Sequence, residues 1–139
     1  MADTKTMHLL VAAPDRVFYE GDVTMVEFCT TEGERGVLPG HVEETCIIAP
    51  GELVIHEESG KKIAALHSGF LEIEPEEVRI LAEVVEWPEE IDTARAELAK
   101  KRAERQIARY GPNMNLMRAE LALQRSLVRL RTVNDSDQK

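Results

Sequence analysis

Residues 78–96 read Val-Arg-Ile-Leu-Ala-Glu-Val-Val-Glu-Trp-Pro-Glu-Glu-Ile-Asp-Thr-Ala-Arg-Ala, and a change of pattern inside this stretch decides the fold. Up to Val85 it is rich in the β-branched and aliphatic residues of a strand. From Trp87 the period changes, because Pro88 followed by two glutamates suits the first turn of a helix, where a fixed φ and negative charge are favourable. The stretch therefore predicts that a β region ends near residue 87 and that a helical region follows.

The region before this stretch consists of short strand-like segments, each followed by a turn signal such as Pro-Gly or Glu-Gly. Around the last of these turns, Leu71, Ile73, Val78 and Ile80 alternate with charged residues, which predicts one buried face and one wet face. Many short strands at regular spacing are typical of a sandwich or a barrel. We therefore predict that residues 1–87 form an all-β domain.

The region after the stretch is predicted to form two antiparallel helices. Residues 91–110 are rich in good helix formers, and Gly111-Pro112 stops them. Asn113 or Asn115 can cap a second helix that runs from residue 116 to about 131. Because the link is short, the two helices should form a hairpin.

An apolar stripe is the predicted contact between the two helices. Its residues are Leu116, Ala119, Leu123, Leu127 and Leu130 on the second helix and Ile91, Ala94, Leu98 and Ile107 on the first. The stripe contains alanine and buries little area, so the hairpin should be marginal by itself. We assign residues 88–133 to this helical domain and expect the polar residues 134–139 to be disordered.

Charge is divided unequally between the two regions. The 139-residue chain has a net charge of −9; residues 1–90 hold 6 Lys and Arg against 20 Asp and Glu, whereas residues 91–139 hold 11 against 6. A basic helical arm could contact nucleic acid, but the acidic body would repel phosphates. The charge distribution therefore argues against a nucleic-acid partner.

Few residues point to catalysis, a metal or a membrane span. The four histidines lack metal-ligand spacing, and no serine lies in a nucleophile elbow. Cys29 and Cys46 are interpreted as buried apolar side chains, with a disulfide as the alternative. The sequence contains no apolar run of membrane-spanning length and no signal or transit pattern, so we expect a soluble, unexported protein without catalytic activity.

Arginines on the predicted helices form the candidate binding site. They are Arg95 and Arg102 on the first helix and Arg118, Arg125 and Arg129 on the second, with Asp92 on the same face as the first pair. Neighbours in these rows are four or seven residues apart, so they share a face and repel each other. If the helices pair, the charges converge and would bind an anion, either a carboxylate surface or a phosphate. A solvated basic surface is the alternative that charge patterning alone leaves open.

Four segments carry a family resemblance. They are Thr-Glu-Gly-Glu-Arg-Gly-Val-Leu-Pro-Gly-His at 31–41, Leu-His-Ser-Gly-Phe-Leu-Glu-Ile at 66–73, Ile-Asp-Thr-Ala-Arg-Ala at 91–96, and Arg-Ala-Glu-Leu-Ala-Leu-Gln-Arg at 118–125. In this order, over about residues 6 to 132, they resemble the epsilon subunit of F-type ATP synthases. The resemblance implies a sandwich of about ten strands followed by a two-helix domain. It also implies a non-catalytic subunit of the central rotor stalk, peripheral to the cytoplasmic side of a bacterial membrane.

The resemblance further implies partners. The sandwich would bind the gamma subunit and the rotor ring of c subunits, through the loop that contains Glu34 and His41, and would help to couple proton flow to ATP synthesis. The extended helices would reach the alpha/beta catalytic head and inhibit ATP hydrolysis, with Arg118, Arg125 and Arg129 meeting an acidic segment of beta. After His41 this chain departs from the family pattern of a small residue, proline and apolar residues, because it has Val-Glu-Glu at 42–44.

Some bacterial members of this family bind ATP as a regulatory ligand in the compact hairpin. The positions that match their site are Glu86, Asp92, Arg95, Arg102, Arg125 and Arg129. ATP would neutralise the arginines and stabilise the compact state. The competing hypothesis is an acidic β-sandwich adaptor whose basic helical arm binds a protein or a nucleic acid.

Overall fold

The computed structural model describes residues 5–112 and 114–137 and divides the chain into two compact units. The first unit ends at Glu86 and the second begins at Trp87, one residue before the boundary expected from the sequence. The first unit is built from strands and the second from helices. In the described part of the chain, no helix is both long enough and apolar enough to cross a membrane.

Eight strands form the described part of the first unit. They are β1 (Met7–Ala13), β2 (Arg16–Val23), β3 (Met25–Thr30), β4 (Gly33–Val37), β5 (Glu44–Ile48), β6 (Gly51–Glu57), β7 (Gly60–Ile73) and β8 (Glu77–Glu86). The number is smaller than the ten implied by the family resemblance. One reason is that β7 continues through Ser68 and Gly69, where the turn signal predicted a break.

The strand order is β2-β1-β8-β7-β5-β3-β4, with β6 paired to β3 and β7. Only β1 and β8 are parallel among the described pairs; the others are antiparallel. β8, the strand that leads into the second unit, therefore has hydrogen-bonded neighbours on both sides. The predicted β-sandwich is confirmed.

β7 changes neighbours halfway along its length. Residues 60–66 pair with β6, and residues 69–73 pair with β5. At the change of partner, the register with β8 shifts around Ser68. Gly69 has a φ of 135°, and a Cβ there would lie 2.1 Å from the carbonyl oxygen of Leu81. Glycine therefore allows one strand to bend and serve both layers of the sandwich.

The core of the sandwich is mainly aliphatic, and Phe28 is its fully buried aromatic residue. Leu71, Ile73, Val78 and Ile80 are all buried, which confirms the predicted alternation. On the wet face of the same strands, Arg79 contacts the carboxylates of two glutamates at 3.0 and 3.1 Å. Other fully buried side chains include Leu9, Val11, Val26, Leu53 and Ile55.

Helical structure in the second unit comprises a single 3-10 turn (Pro88–Glu90), α1 (Thr93–Ala108) and α2 (Leu116–Asp137). Asp92 caps α1, because its carboxylate accepts the backbone N–H of Arg95 at 3.1 Å. Asn115 caps α2 in the same way, accepting the N–H of Arg118 at 3.1 Å. The other candidate cap, Asn113, lies outside the described residues. Each cap satisfies one of the N–H groups that a helix start leaves without an intrahelical acceptor.

The faces of the helices differ from the predicted stripe. α1 and α2 pack against each other, and the residues buried on α1 are Ala96 and Ala103. Ala94 and Leu98 were predicted to face α2, but both are exposed. The stripe was therefore wrong at Ala94 and Leu98 on α1 and at Leu127 on α2, whereas Ile91 and Ala119 are buried as predicted.

The end of α2 also differs from the prediction. The helix continues through residues 134–137, which were expected to be disordered, and ends at Asp137. Thr132 is fully buried, and its hydroxyl donates to the carbonyl oxygen of Val128 at 2.7 Å. Residues 134–137 are exposed or half-buried and continue the helix beyond this buried residue. Residues 138 and 139 lie outside the described part.

Candidate functional site

Asp92 and the first arginine of the candidate site lie at the start of α1. The described bond of the Asp92 carboxylate is to the backbone of Arg95, within the cap, and not to a guanidinium. The side chain of Arg95 is exposed, as is that of Arg102 two turns later. These residues therefore present charge to solvent, while Asp92 fixes the helix start.

The second row of arginines lies on α2 and is more enclosed. Arg118 is exposed, whereas Arg125 and Arg129 are half-buried. Within the described residues, the Nε of Arg125 is buried and has no hydrogen-bond acceptor. A buried guanidinium N–H without an acceptor is costly, so this position favours an added acceptor oxygen.

Four arginines of the candidate site each directly precede a buried small residue in the sequence. Arg95 and Arg102 immediately precede Ala96 and Ala103, the buried residues of α1. Arg118 and Arg125 immediately precede Ala119 and Ser126, two of the buried residues of α2. Each row therefore lies about 100° around its helix from a buried small-residue row.

Glu86, the remaining residue of the expected ATP set, belongs to the sandwich unit. It is the last residue of β8, and one of its carboxylate oxygens lies 3.0 Å from Nε2 of His67. No sequence pattern connects these residues, because they are 19 positions apart on different strands.

Strand β4 and the loop that follows it contain the expected rotor-contact residues. Glu34 is exposed on β4, opposite Cys29 of β3. His41 is half-buried; its Nδ1 lies 2.8 Å from the carbonyl oxygen of Val42, and its Nε2 lies 3.4 Å from the Arg35 guanidinium. His41 is thus part of the internal bonding of the loop.

Arg35 and Glu44 close this loop, and sequence reasoning missed their pairing. Two nitrogens of Arg35 donate to the two carboxylate oxygens of Glu44, one at 2.9 Å. This bonding lowers the pKa of Glu44 to about 2, helped by a hydrogen bond from the Cys46 thiol. Burial is the main cause that raises the pKa of the Cys46 thiol, and the Glu44 carboxylate is the second. The one sequence signal of this pairing was that Glu44 departs from the family pattern. In the structure, Glu44 binds Arg35.

A β-sandwich followed by two helices is the domain order of the protein family whose models match this chain. Residues 6–88 match the model of the "ATP synthase, Delta/Epsilon chain, beta-sandwich domain", and residues 89–134 match the "long alpha-helix domain" of the same chain. The chain belongs to the ATP synthase delta/epsilon chain family, whose members are non-catalytic subunits of the rotary enzyme.

Curated relatives support the same assignment over nearly the whole chain. The "ATP synthase epsilon chain" of Caldanaerobacter subterraneus is 44% identical over 128 residues, which cover 91% of this chain and 93% of the relative. That of Halalkalibacterium halodurans is 41% identical over 126 residues, covering 90% and 95%. The expected kinship with bacterial epsilon subunits is confirmed.

A solved structure shows the same fold at lower identity. The cryo-EM structure of the Euglena gracilis mitochondrial ATP synthase, OSCP/F1/c-ring, contains a chain of this fold. The two chains align over 96% of this chain and 82% of the Euglena chain. The TM-score is 0.79 at 23% sequence identity. A chain of the Tetrahymena thermophila central stalk and c-ring matches with a TM-score of 0.56 at 11% identity.

Proposed function

We propose that this chain works in the central stalk of a bacterial ATP synthase, where its helical unit is an ATP-responsive inhibitor of ATP hydrolysis. The sandwich binds the gamma subunit and the c ring on the cytoplasmic side of the membrane, and so helps to couple ring rotation to ATP synthesis. The helices fold down when ATP is bound and extend toward the alpha/beta head when it is absent. Family membership and the assemblies that contain the similar chains, a c-ring with F1 and a central stalk with c-ring, support the stalk location.

The buried, unsatisfied Nε of Arg125 is the observation that carries the ATP proposal. Arg129 lies one turn further along the same face and places a second positive charge beside Arg125. Phosphate oxygens would supply acceptors and neutralise positive charge on this face. The site is therefore costly when empty and is stabilised by an anionic ligand.

Helix geometry supports convergence of the two arginine rows. Packing the Ala96 and Ala103 row against the Ala119 and Ser126 row gives an antiparallel pair of helices with close backbones. In an antiparallel pair, positions with the same offset from the packed row lie on the same side. Both arginine rows precede their small residues by one position, so this packing puts all the arginines along one side of the hairpin.

Glu86 and Asp92 complete the proposed set in a different chemical role. Carboxylates would repel the phosphates, so they suit the neutral donors of a nucleotide, its hydroxyl and amino groups. Such a division of charge distinguishes a nucleotide from a simple phosphate. ATP that binds only the compact state would stabilise it by about 2.7 kcal/mol at a hundred times its Kd.

Release of the hairpin follows from its weak internal packing. The buried residues of α1 are two alanines, which offer little apolar area to hold the helices together. When ATP is lost, repulsion among the arginines adds to this weakness. The freed basic face would then pair with an acidic surface of the catalytic head, and the same residues would serve inhibition.

Isothermal titration of the full chain with ATP tests the ligand part of the proposal. We expect binding by the wild type and at least about tenfold weaker binding by Arg125→Ala, the loss of a charged hydrogen bond. Arg131→Ala is the matched control, since Arg131 is exposed and lies roughly 140° around α2 from Arg118. Absence of binding heat for the wild type at millimolar ATP would refute the ATP role.

Inhibition is tested in the assembled enzyme. Membranes that carry the synthase with wild-type chain should hydrolyse ATP more slowly than membranes with a chain that lacks residues 88–139. If removal of the helices leaves hydrolysis unchanged over a range of ATP concentrations, the helical unit is not an inhibitor.

A further inference from the structure

The loop that joins β4 to β5, residues 38–43, exposes two large apolar side chains. Leu38 is 58% exposed and Val42 is 72% exposed, and together we call them the apolar tip. A single exposed apolar residue is ordinary, but two on one loop form a contact surface if the loop has a fixed shape. Glu34 and Glu43, near the two ends of the loop, are also exposed. The loop thus offers a partner an apolar tip with an acidic border.

The backbone of this loop is held by hydrogen bonds at its turn. The N–H of His41 donates to the carbonyl oxygen of Leu38 at 3.3 Å. Between them, Pro39 is followed by Gly40 with a φ of 87°, which is the pattern of a type II turn. The N–H of Gly40 donates to the carbonyl oxygen of Pro75 at 2.8 Å. The turn is therefore tied to the connection between β7 and β8.

Side-chain hydrogen bonds hold the base of the loop. Arg35 donates to both carboxylate oxygens of Glu44, and one of its nitrogens also lies 3.4 Å from Nε2 of His41. A guanidinium can only donate, so Nε2 is the acceptor and the hydrogen of the ring is assigned to Nδ1. Nδ1 donates to the carbonyl oxygen of Val42 at 2.8 Å. Arg35 and Glu44 therefore form a clasp that is connected to the backbone of the loop.

The loop lies at the end of the sandwich opposite the exit of the chain. Its anchor, Pro75, precedes β8, which begins at Glu77. The chain leaves the sandwich at Glu86, where β8 ends, and a strand of ten residues spans roughly 30 Å. In the proposed function the chain beyond Glu86 leads to the catalytic head. The end that carries the loop is therefore the one available to the c ring.

We propose that the 38–43 loop is a preformed contact for the c ring: Leu38 and Val42 pack against an apolar surface bordered by lysine or arginine. The clasp positions the loop and does not touch the ring. A loop that is ordered before binding does not lose further backbone entropy on contact. The inference rests on the proposed stalk function and deepens it, because it assigns the contact to the apolar tip, whereas His41 is bonded within the loop.

Amide hydrogen exchange of the free chain tests the positioning role. Glu44→Gln should speed exchange of the Gly40 amide by at least about tenfold, because a charged hydrogen bond at the base of the loop is lost. Arg35→Gln should have the same effect, and the two substitutions together should add nothing, since either one opens the clasp. Glu43→Gln changes an exposed carboxylate one residue away and should leave the rate unchanged.

A general loss of stability gives a different pattern of exchange. Leu53, a fully buried residue of β6, provides the reference amide. If its exchange accelerates by the same factor as that of Gly40, the clasp stabilises the whole sandwich and does not position the loop. The positioning role is also refuted if exchange at Gly40 is unchanged, or if the effects of Arg35→Gln and Glu44→Gln multiply.

Binding of the full chain to the enzyme tests the ring contact. The two probes are the synthase prepared without this chain and its F1 sector, which lacks the c ring. Leu38→Ala and Val42→Ala should each weaken binding to the whole synthase by roughly tenfold and leave binding to F1 unchanged. Glu44→Gln should act in the same direction. Val17→Ala is the matched control, since Val17 is 61% exposed on β2, and it should leave the ratio of the two affinities unchanged.

The outcomes distinguish the two levels of the proposal. If the wild type binds neither probe, the stalk function fails and the ring contact fails with it. If the wild type binds and both variants of the apolar tip bind the whole synthase equally well, only the ring contact is refuted. It is also refuted if these variants weaken binding to both probes by the same factor, which would place the loop against the F1 sector.

Discussion

The sandwich and the helical unit bury different kinds of residue. Most of the large, fully buried side chains of the sandwich are aliphatic, such as Leu53 and Ile55, whereas the buried residues of the helices are alanine, serine, threonine and one valine. At about 25 cal/mol per Å² of buried apolar area, this difference makes the sandwich the stable part of the chain. We therefore expect the helical unit to unfold more readily than the sandwich.

The largest effect should come from the bend in β7. Gly69→Ala adds a Cβ that would clash with the backbone at Leu81 and sits at a strained φ, so we expect a loss of roughly 4–6 kcal/mol of unfolding free energy. Gly60→Ala is the matched control, since its φ is 146° but nothing lies within 4 Å of the added Cβ. Urea denaturation measures both; equal losses would show that the clash is relieved and that the bend does not depend on Gly69.

The same chemical change in the two units should give unequal results. Leu71→Ala removes a fully buried side chain from the sandwich and should cost about 2–5 kcal/mol. Leu98→Ala acts on a leucine of α1 that is 61% exposed and should change stability by less than about 0.5 kcal/mol. A large loss from Leu98→Ala, measured in the same denaturation experiment, would revive the stripe predicted from the sequence.

Overpacking the helices should affect that unit alone. Ala103→Leu inserts a large side chain at a buried position and should cost roughly 1–3 kcal/mol of local stability. We expect faster hydrogen exchange of the α1 amides and no change in β7. Ala94→Leu, on the exposed face of the same helix, is the control; equal acceleration by both variants would contradict the assignment of the buried face.

The smallest expected effect is the pH dependence of stability that comes from the loop between β4 and β5. The pKa of Glu44 is lowered to about 2 by Arg35, so its contribution to stability is present above its ordinary pKa and is lost as the pH falls toward 2. The difference in unfolding midpoint between the wild type and Glu44→Gln should therefore be present at pH 6 and shrink between about pH 4.5 and 2. Glu43→Gln is the neighbouring control. A difference that stays constant down to pH 2 would mean that the ion pair does not stabilise the fold.

Local patterns were sufficient for much of this fold. The alternation of Leu71 and Ile73 with glutamates gave the buried face of β7, and the short polar residue Asn115 gave the start of α2. Both depend on a few neighbouring residues, which is why single-sequence reasoning finds them. The family resemblance then predicted a sandwich, where periodicity alone left a sandwich or a barrel, and a place in the central stalk.

The features that were missed depend on contacts between distant parts of the chain. Leu98 is more hydrophobic than Ala96, but the close approach of two helices selects the smaller residue. Residues 134–137 are polar, yet they continue the helix beyond the buried Thr132. The bond between His67 and Glu86 joins two strands across a bulge, and no spacing rule in the sequence points to it.

The position of β8 has a mechanical consequence. A pull on the helical unit reaches the sandwich through Glu86, at the end of a ten-residue strand with β1 on one side and β7 on the other. A load directed along the strand would be resisted by the hydrogen bonds of both neighbours together, in shear, whereas an edge strand is held by one neighbour only. The last strand of the first unit is thus secured against such a pull by two ladders of hydrogen bonds at once.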